Sequence, residues 1–178
     1  VTTKRSGPAY LLEVDGKKIL IDCGSGTLKQ LSKSGINPLD LDYVFLTHFH
    51  PDHATDLFGL QMNFVLNPLF GEKEIEKTPV IYGPPGIEDF TKNLGKIFEM
   101  PIFETYDKIK YEVFKETQQI GGLIVKAFKV NHIAAGFSAN AYALRFEEGD
   151  KVFTFSGDST KCEGLEKACE NADIFICD

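Results

Sequence analysis

The sequence predicts an α/β fold of the α+β layered kind, stacked sheets covered by helices, and three observations carry that prediction. Short runs rich in β-formers come in pairs, with amphipathic runs of helical period interspersed. Gly, Pro, Asn and Asp punctuate the runs at Asp15-Gly16, Asn37-Pro38 and Gly83-Pro84-Pro85-Gly86. The chain has 178 residues and is 43% hydrophobic, with fifteen Phe and no Trp, enough for one domain with a real core.

The elements follow in order. Val1 to Pro8 is polar, with Lys4, Arg5 and the Gly7-Pro8 breaker, and reads as a solvated loop, a substrate contact being its alternative. Ala9 to Val14 and Lys17 to Asp22 are two short strands joined by the Asp15-Gly16 hairpin turn. Asp22 ends the second strand beside Gly24 and Gly26. Two readings of it stay open: it caps the next helix, or it orients a metal-bound histidine. Thr27 to Ser34 reads as a helix ended by Gly35, and Tyr43 to Leu46 as a buried strand. Asp56 to Leu66 is helical, with Leu57, Leu60, Phe64 and Val65 facing a core.

Pro68 to Pro79 is a charged loop, Val80 to Tyr82 a strand, and Ile87 to Met100 a second amphipathic helix. Then the period switches. Tyr111 to Lys115, Leu123 to Val130, Ala141 to Phe146 and Val152 to Phe155 are four expected strands. Glu163 to Asn171 is a short helix and Asp173 to Cys177 a last strand. There is no internal repeat and no low-complexity tract.

Thr47-His48-Phe49-His50-Pro51-Asp52-His53 stands out, because three of the four histidines fall within it. It lies where a strand ends and a loop begins, the usual place for a site in a layered fold. Imidazole nitrogens and carboxylate oxygens are ligands for zinc, and equally for manganese or iron. His48 and His50, two residues apart, can grip one ion, and Asp52 and His53 can face a second. His132, after the strand ending at Val130, is the remaining histidine. Asp158 in Phe155-Ser156-Gly157-Asp158 also follows a strand. A carboxylate there could be shared by two cations, lowering their mutual repulsion.

Composition narrows the function classes. A net charge of -7 argues against a broad nucleic-acid or membrane surface. Cys23, Cys162, Cys169 and Cys177 show no CxxC pair and no disulfide-framework spacing, so they read as mostly buried thiols of a reducing cytoplasm. No run of about 18 apolar residues suggests a membrane span; no signal peptide is expected among these residues, and the opening on Val1 rather than Met leaves a missing start or a removed signal as the alternative.

Thr47-His48-x-His50-x-Asp52-His53, with His132 and Ser156-Gly157-Asp158, resembles the metallo-β-lactamase superfamily. Ile19-Leu20-Ile21-Asp22-Cys23-Gly24-Ser25-Gly26-Thr27, Tyr82-Gly83-Pro84-Pro85-Gly86 and Ala141-Tyr142-Ala143-Leu144-Arg145-Phe146 are similar to its ribonuclease Z and arylsulfatase-like branch. The resemblance implies an αβ/βα sandwich and a single metallo-hydrolase domain over residues 1–178. It implies two divalent ions, zinc first, with His48, His50 and His132 on one, Asp52 and His53 on the other, and Asp158 bridging. It further implies a metal-bound hydroxide as nucleophile, with Asp52 catalytic as its proton holder, and Asp22 as an orienting carboxylate. Members of the branch are commonly dimeric, so a homodimer is implied too.

Three departures qualify the resemblance. No histidine follows His132, whereas the branch has another ligand for the second metal downstream. The family's first strand and glycine turn do not precede Val1, so a domain truncated at both ends is expected. Only 25 residues separate His132 from Asp158, with no room for a long tRNA-binding arm. Asp56-Leu57, where ribonuclease Z usually has a glycine, leans toward general phosphodiesterase relatives. The expected function is therefore a metal-dependent hydrolase of a phosphodiester or related ester, with a small-molecule or nucleotide ester as substrate. A tRNA 3′-processing endonuclease is the first alternative and a non-catalytic binding domain on the same scaffold the second.

Overall fold

The computed structural model describes residues 6–70, 75, 77–101, 107–134 and 136–178. The expectation for Lys4 and Arg5 lies outside the described residues, as does part of the loop expected from Pro68 to Pro79. The chain divides into two compact units after Glu112.

The first unit is built on a mixed sheet in the order β1 (Tyr10–Val14), β2 (Lys17–Ile21), β3 (Tyr43–Phe45), β4 (Val80–Gly83) and β5 (Lys110–Val113). β1 and β2 form the expected hairpin. Asp15 and Gly16 take φ of 49° and 68°, both left-handed, as a turn matched to strand twist demands. β2, β3 and β4 run parallel, which requires crossovers. These carry α1 (Thr27–Lys33), α2 (Pro51–Ala54) and α3 (Leu57–Phe70). α4 (Ile87–Ile97) follows β4.

Strand alternation then decides the core. Leu20, Val44 and Ile81 form one register row and join Leu31, Leu57, Leu60, Phe64 and Ile87 in a buried cluster. The neighbouring row, Ile21, Phe45 and Tyr82, points to the opposite face, where Phe45 stacks on Tyr82 at 4.7 Å. Ile19, Ile21 and Phe45 are fully buried as well, so these parallel strands are covered on both faces and read as unbroken apolar runs. Burying a side chain such as Leu60 or Phe64 contributes roughly 1.5–3 kcal/mol.

α3 does not stop where the sequence suggests. Pro68 was expected to open a loop, but the helix runs through it and ends at Phe70. Pro68 has no N–H to give to the carbonyl of Phe64, so the ladder loses one bond there, and the helix ends two residues later.

The second unit is a mixed sheet in the order β10-β9-β8-β7-β6. Its strands are β6 (Thr117–Ile120), β7 (Leu123–Ala134), β8 (Phe137–Glu148), β9 (Lys151–Phe155) and β10 (Ile174–Ile176), with α5 (Glu163–Cys169) against it. β6 was not expected. Its residues Thr117-Gln118-Gln119-Ile120 carry little apolar signal, yet Gln118 and Ile120 alternate inward and pair with β7. β7 and β8 are longer than their apolar runs, because cross-strand pairing continues out to Ala134 opposite Phe137. His132 therefore lies inside β7, opposite Ala139, and not after the strand's end.

α5 lies directly on β7. A Cβ at Gly164 would meet the carbonyl oxygen of Lys129 at 2.0 Å, so only glycine permits the approach. Ala168 packs on Val130, Ala141 and Ala143. Arg145 donates from Nη1 to the carbonyls of Ala168 (3.0 Å) and Glu170 (2.6 Å), satisfying acceptors at the helix C-terminus. The cysteine expectation needs correction: Cys23 is buried, but Cys162 and Cys169 are half-buried and Cys177 is exposed. The last three sit on or beside the short α5 and the edge strand β10, which cover little surface. All four are free thiols. Among the described residues, no helix is long and apolar enough to cross a membrane.

Candidate metal centre

The histidine motif is shaped by what flanks it. β3 ends at Phe45, and the amide of Leu46 donates to Tyr82 of β4, prolonging the strand by one bond. The chain then turns at His50, whose extended backbone caps α2, and Pro51 takes the first helical position, where its missing N–H costs nothing. The expected loop thus contains a helical turn, and Asp52 and His53 sit on it. Phe49 turns away from the histidines and stacks on Phe90 of α4, rings 4.7 Å apart and 5° from parallel.

Asp22 organises the motif from beneath. It leaves β2 with a left-handed φ of 57° and is fully buried. Its carboxylate accepts from the Thr47 amide (2.8 Å), from Thr47 Oγ1 (2.9 Å) and from His53 Nδ1 (2.8 Å). A carboxylate only accepts, so His53 carries its proton on Nδ1 and presents the Nε2 lone pair. Thr47 Oγ1 spends its proton on Asp22 and accepts from His48 Nδ1 at 3.0 Å, so His48 also presents Nε2. One buried carboxylate sets two imidazoles. Burial pushes the Asp22 carboxyl up from its ordinary 3.8, while His53 and Thr47 pull it back down.

The ligand atoms gather accordingly. The rings of His48 and His53 are centred 4.2 Å apart, those of His48 and His50 4.6 Å. His53 Nε2 lies 3.9 Å from Asp52 Oδ2. Asp52 has half its side chain exposed, whereas His53 is fully covered. Cys23 next door is no ligand candidate. Burial, then the charges of Asp56 and Asp22, push its thiol well above the usual range and hold it protonated.

Asp22 spends its carboxylate on Thr47 and His53. The capping role belongs to Asp56, whose Oδ2 accepts from the amides of Gly26 and Leu28, both at 3.1 Å. No local pattern could have found it, since acceptor and donors are 30 and 28 residues apart. The Gly24 turn closes on α2 as well. The Cys23 amide donates to the His53 carbonyl (2.7 Å), and a Cβ at Gly24 would meet the Asp52 carbonyl oxygen at 1.9 Å.

The second unit brings together the other two candidates. His132 Nε2 lies 3.5 Å from Asp158 Oδ2. Asp158 follows β9 after Gly157, at φ 54°, and Thr160 ties its loop to β7 by donating from N (2.8 Å) and Oγ1 (3.1 Å) to the Asn131 carbonyl. Each unit thus presents imidazole nitrogen beside carboxylate oxygen and no thiolate, a donor set that fits zinc, manganese or iron.

The chain is similar to known proteins. A family model described as the metallo-beta-lactamase superfamily matches residues 2–161. A ribonuclease Z of Pyrococcus abyssi is 33% identical over 172 residues, 93% of this chain and 50% of that protein. The chain thus spans about half the length of the curated relatives it matches. Among solved structures, the metallo-beta-lactamase fold protein YhfI from Bacillus subtilis is 27% identical with a TM-score of 0.77, over 98% of this chain and 65% of that one. The short form of human tRNase Z, at 24% identity and a TM-score of 0.70, shares the fold over 97% of this chain and 71% of its own.

Proposed function

We propose a function from one premise: the chain belongs to the metallo-beta-lactamase superfamily. On that premise the protein is a metal-dependent hydrolase of a phosphodiester or related ester, working in the cytoplasm. The observation that carries the reading is the buried Asp22 carboxylate, which presets His48 and His53 with Nε2 presented for a ligand. Such preorganisation is characteristic of histidines that bind metal.

In this reading His48, His50 and His132 would hold one divalent ion and Asp52 and His53 a second, with Asp158 available to both. Zinc is the first candidate for both. Bound there, divalent ions lower the pKa of water and neutralise charge that develops on the substrate. The chain's own residues do the rest. Asp22 and Thr47 keep the imidazoles in one tautomer and one orientation. Asp52, half exposed, is the group able to take a proton from attacking water and return it to solvent.

The test is hydrolysis of bis(p-nitrophenyl) phosphate by the full-length protein, with and without chelator. Turnover should need metal and fall about 100-fold or more in Asp52→Ala and Asp158→Ala. Metal-independent turnover, or none despite bound metal, would overturn the phosphodiester reading. A tRNA 3′-processing activity is the second reading, favoured by the likeness to ribonuclease Z of Pyrococcus abyssi. A pre-tRNA gel shift at low salt separates the two. A non-catalytic binding domain is disfavoured, because the chain keeps the His48–His53 motif.

A further inference from the structure

The β7–β8 ribbon carries one apolar face with an unusual end. Register places Phe128, Val130 and His132 of β7 on the same face as Ala143, Ala141 and Ala139 of β8. At its base that face is covered by α5, through Ala168, Leu165 and Cys162. Beyond α5 comes His132, beside Asp158. Beyond His132, still on that face, comes Phe137: it pairs with Ala134, two residues along from the His132–Ala139 pair. The residue is 79% exposed. An aromatic ring left open at the end of a buried face is unusual when the turn needs none. Gly136, at φ 84°, already supplies the left-handed residue. The diagonal spacing on one ribbon face keeps Phe137 within reach of whatever His132 and Asp158 hold.

We propose that Phe137 is a specificity-determining residue that stacks on a planar aromatic group, such as a nucleobase, attached to the phosphate of the substrate. The inference rests on the phosphodiester reading above. A ligand whose phosphate is held beside His132 and Asp158 extends along the ribbon toward its tip and meets the Phe137 ring. Stacking is tolerant of base identity, because every base has a π-face. The opposite ribbon face carries Ile133, also exposed, opposite Ser138, and that side leads away from His132.

The test is calorimetric binding to the full-length, metal-loaded protein, with adenosine 5′-monophosphate and ribose 5-phosphate as probes differing only in the base. Wild type should bind the nucleotide about tenfold tighter than the sugar phosphate. Phe137→Ala should erase that preference, Phe137→Trp should keep it, and Ile133→Ala should leave it intact. The inference is overturned by a wild type with no preference, or by a preference that survives in Phe137→Ala. It is equally overturned if Phe137→Ala changes only the oligomeric state, which would make the ring a contact between copies. Sugar-phosphate binding and bis(p-nitrophenyl) phosphate turnover without a base preference would sink this inference and leave the hydrolase reading standing. Loss of both in wild type would sink the two together.

Discussion

The two units hold their ligand candidates in different ways. In the first, His48, His50, Asp52 and His53 come from one short stretch, and a fully buried carboxylate fixes two of them. In the second, His132 and Asp158 are brought together by long strands and a loop bridge, and both are partly open to solvent. The first arrangement is rigid because a buried acceptor cannot release its donors to water without a penalty. The second depends on backbone pairing, and its side chains remain adjustable.

The largest effect should come from breaking the buried side. Asp22→Ala leaves the Thr47 and His53 donors without an acceptor, and should destabilise the protein by about 3 kcal/mol or more in urea unfolding. Zinc affinity should fall about 10- to 100-fold by competition titration. A loss under about 1 kcal/mol would mean that water replaces Asp22 and the site is less closed than described. Gly164→Ala should cost about 1–3 kcal/mol, because the new methyl meets the Lys129 carbonyl and lifts α5 from β7.

Asp158→Asn sharpens the contrast. It should change stability by less than about 1 kcal/mol, since the group is partly solvated, yet weaken metal binding. Equal stability losses in Asp22→Ala and Asp158→Asn would erase the distinction between the units.

The smallest effect is electrostatic. Hydrogen bonds from Arg145, then Lys126, hold the Glu147 carboxyl below its ordinary 4.5. A carboxyl depressed in the folded state adds stability above its unfolded value and loses it as pH falls through the folded value. Glu147→Gln should therefore flatten the acid limb of the stability profile below about pH 4.5. The change at neutral pH should stay under about 1 kcal/mol. An unaltered acid limb would show that Glu147 is not held by its partners.

Much of this was legible in the chain because the signals are local. The His48–His53 motif needs only six residues, and the Asp15-Gly16 turn only two. The spacing of Leu57, Leu60, Phe64 and Val65 predicted a buried helix face, and all four are buried. What failed was non-local. β6 is polar and exists because β7 offers it an edge. His132 was placed after a strand because the apolar run ends at Val130, whereas pairing with β8 carries the strand on to Ala134. Cysteine burial was misjudged because composition says nothing of which elements are short and which strands are edges.

The sequence by itself determined which residues can ligate and which segments must be buried, because ligand chemistry and hydrophobic period belong to the residues themselves. Only the tertiary structure decided which groups Asp22 bonds to. Its partners Thr47 and His53 lie 25 and 31 residues away, and Asp56, from 28 and 30 residues off, took the capping bonds instead. A hydrogen bond is made by whichever acceptor the fold delivers within about 3 Å, and that delivery is a property of packing, not of neighbours in the chain.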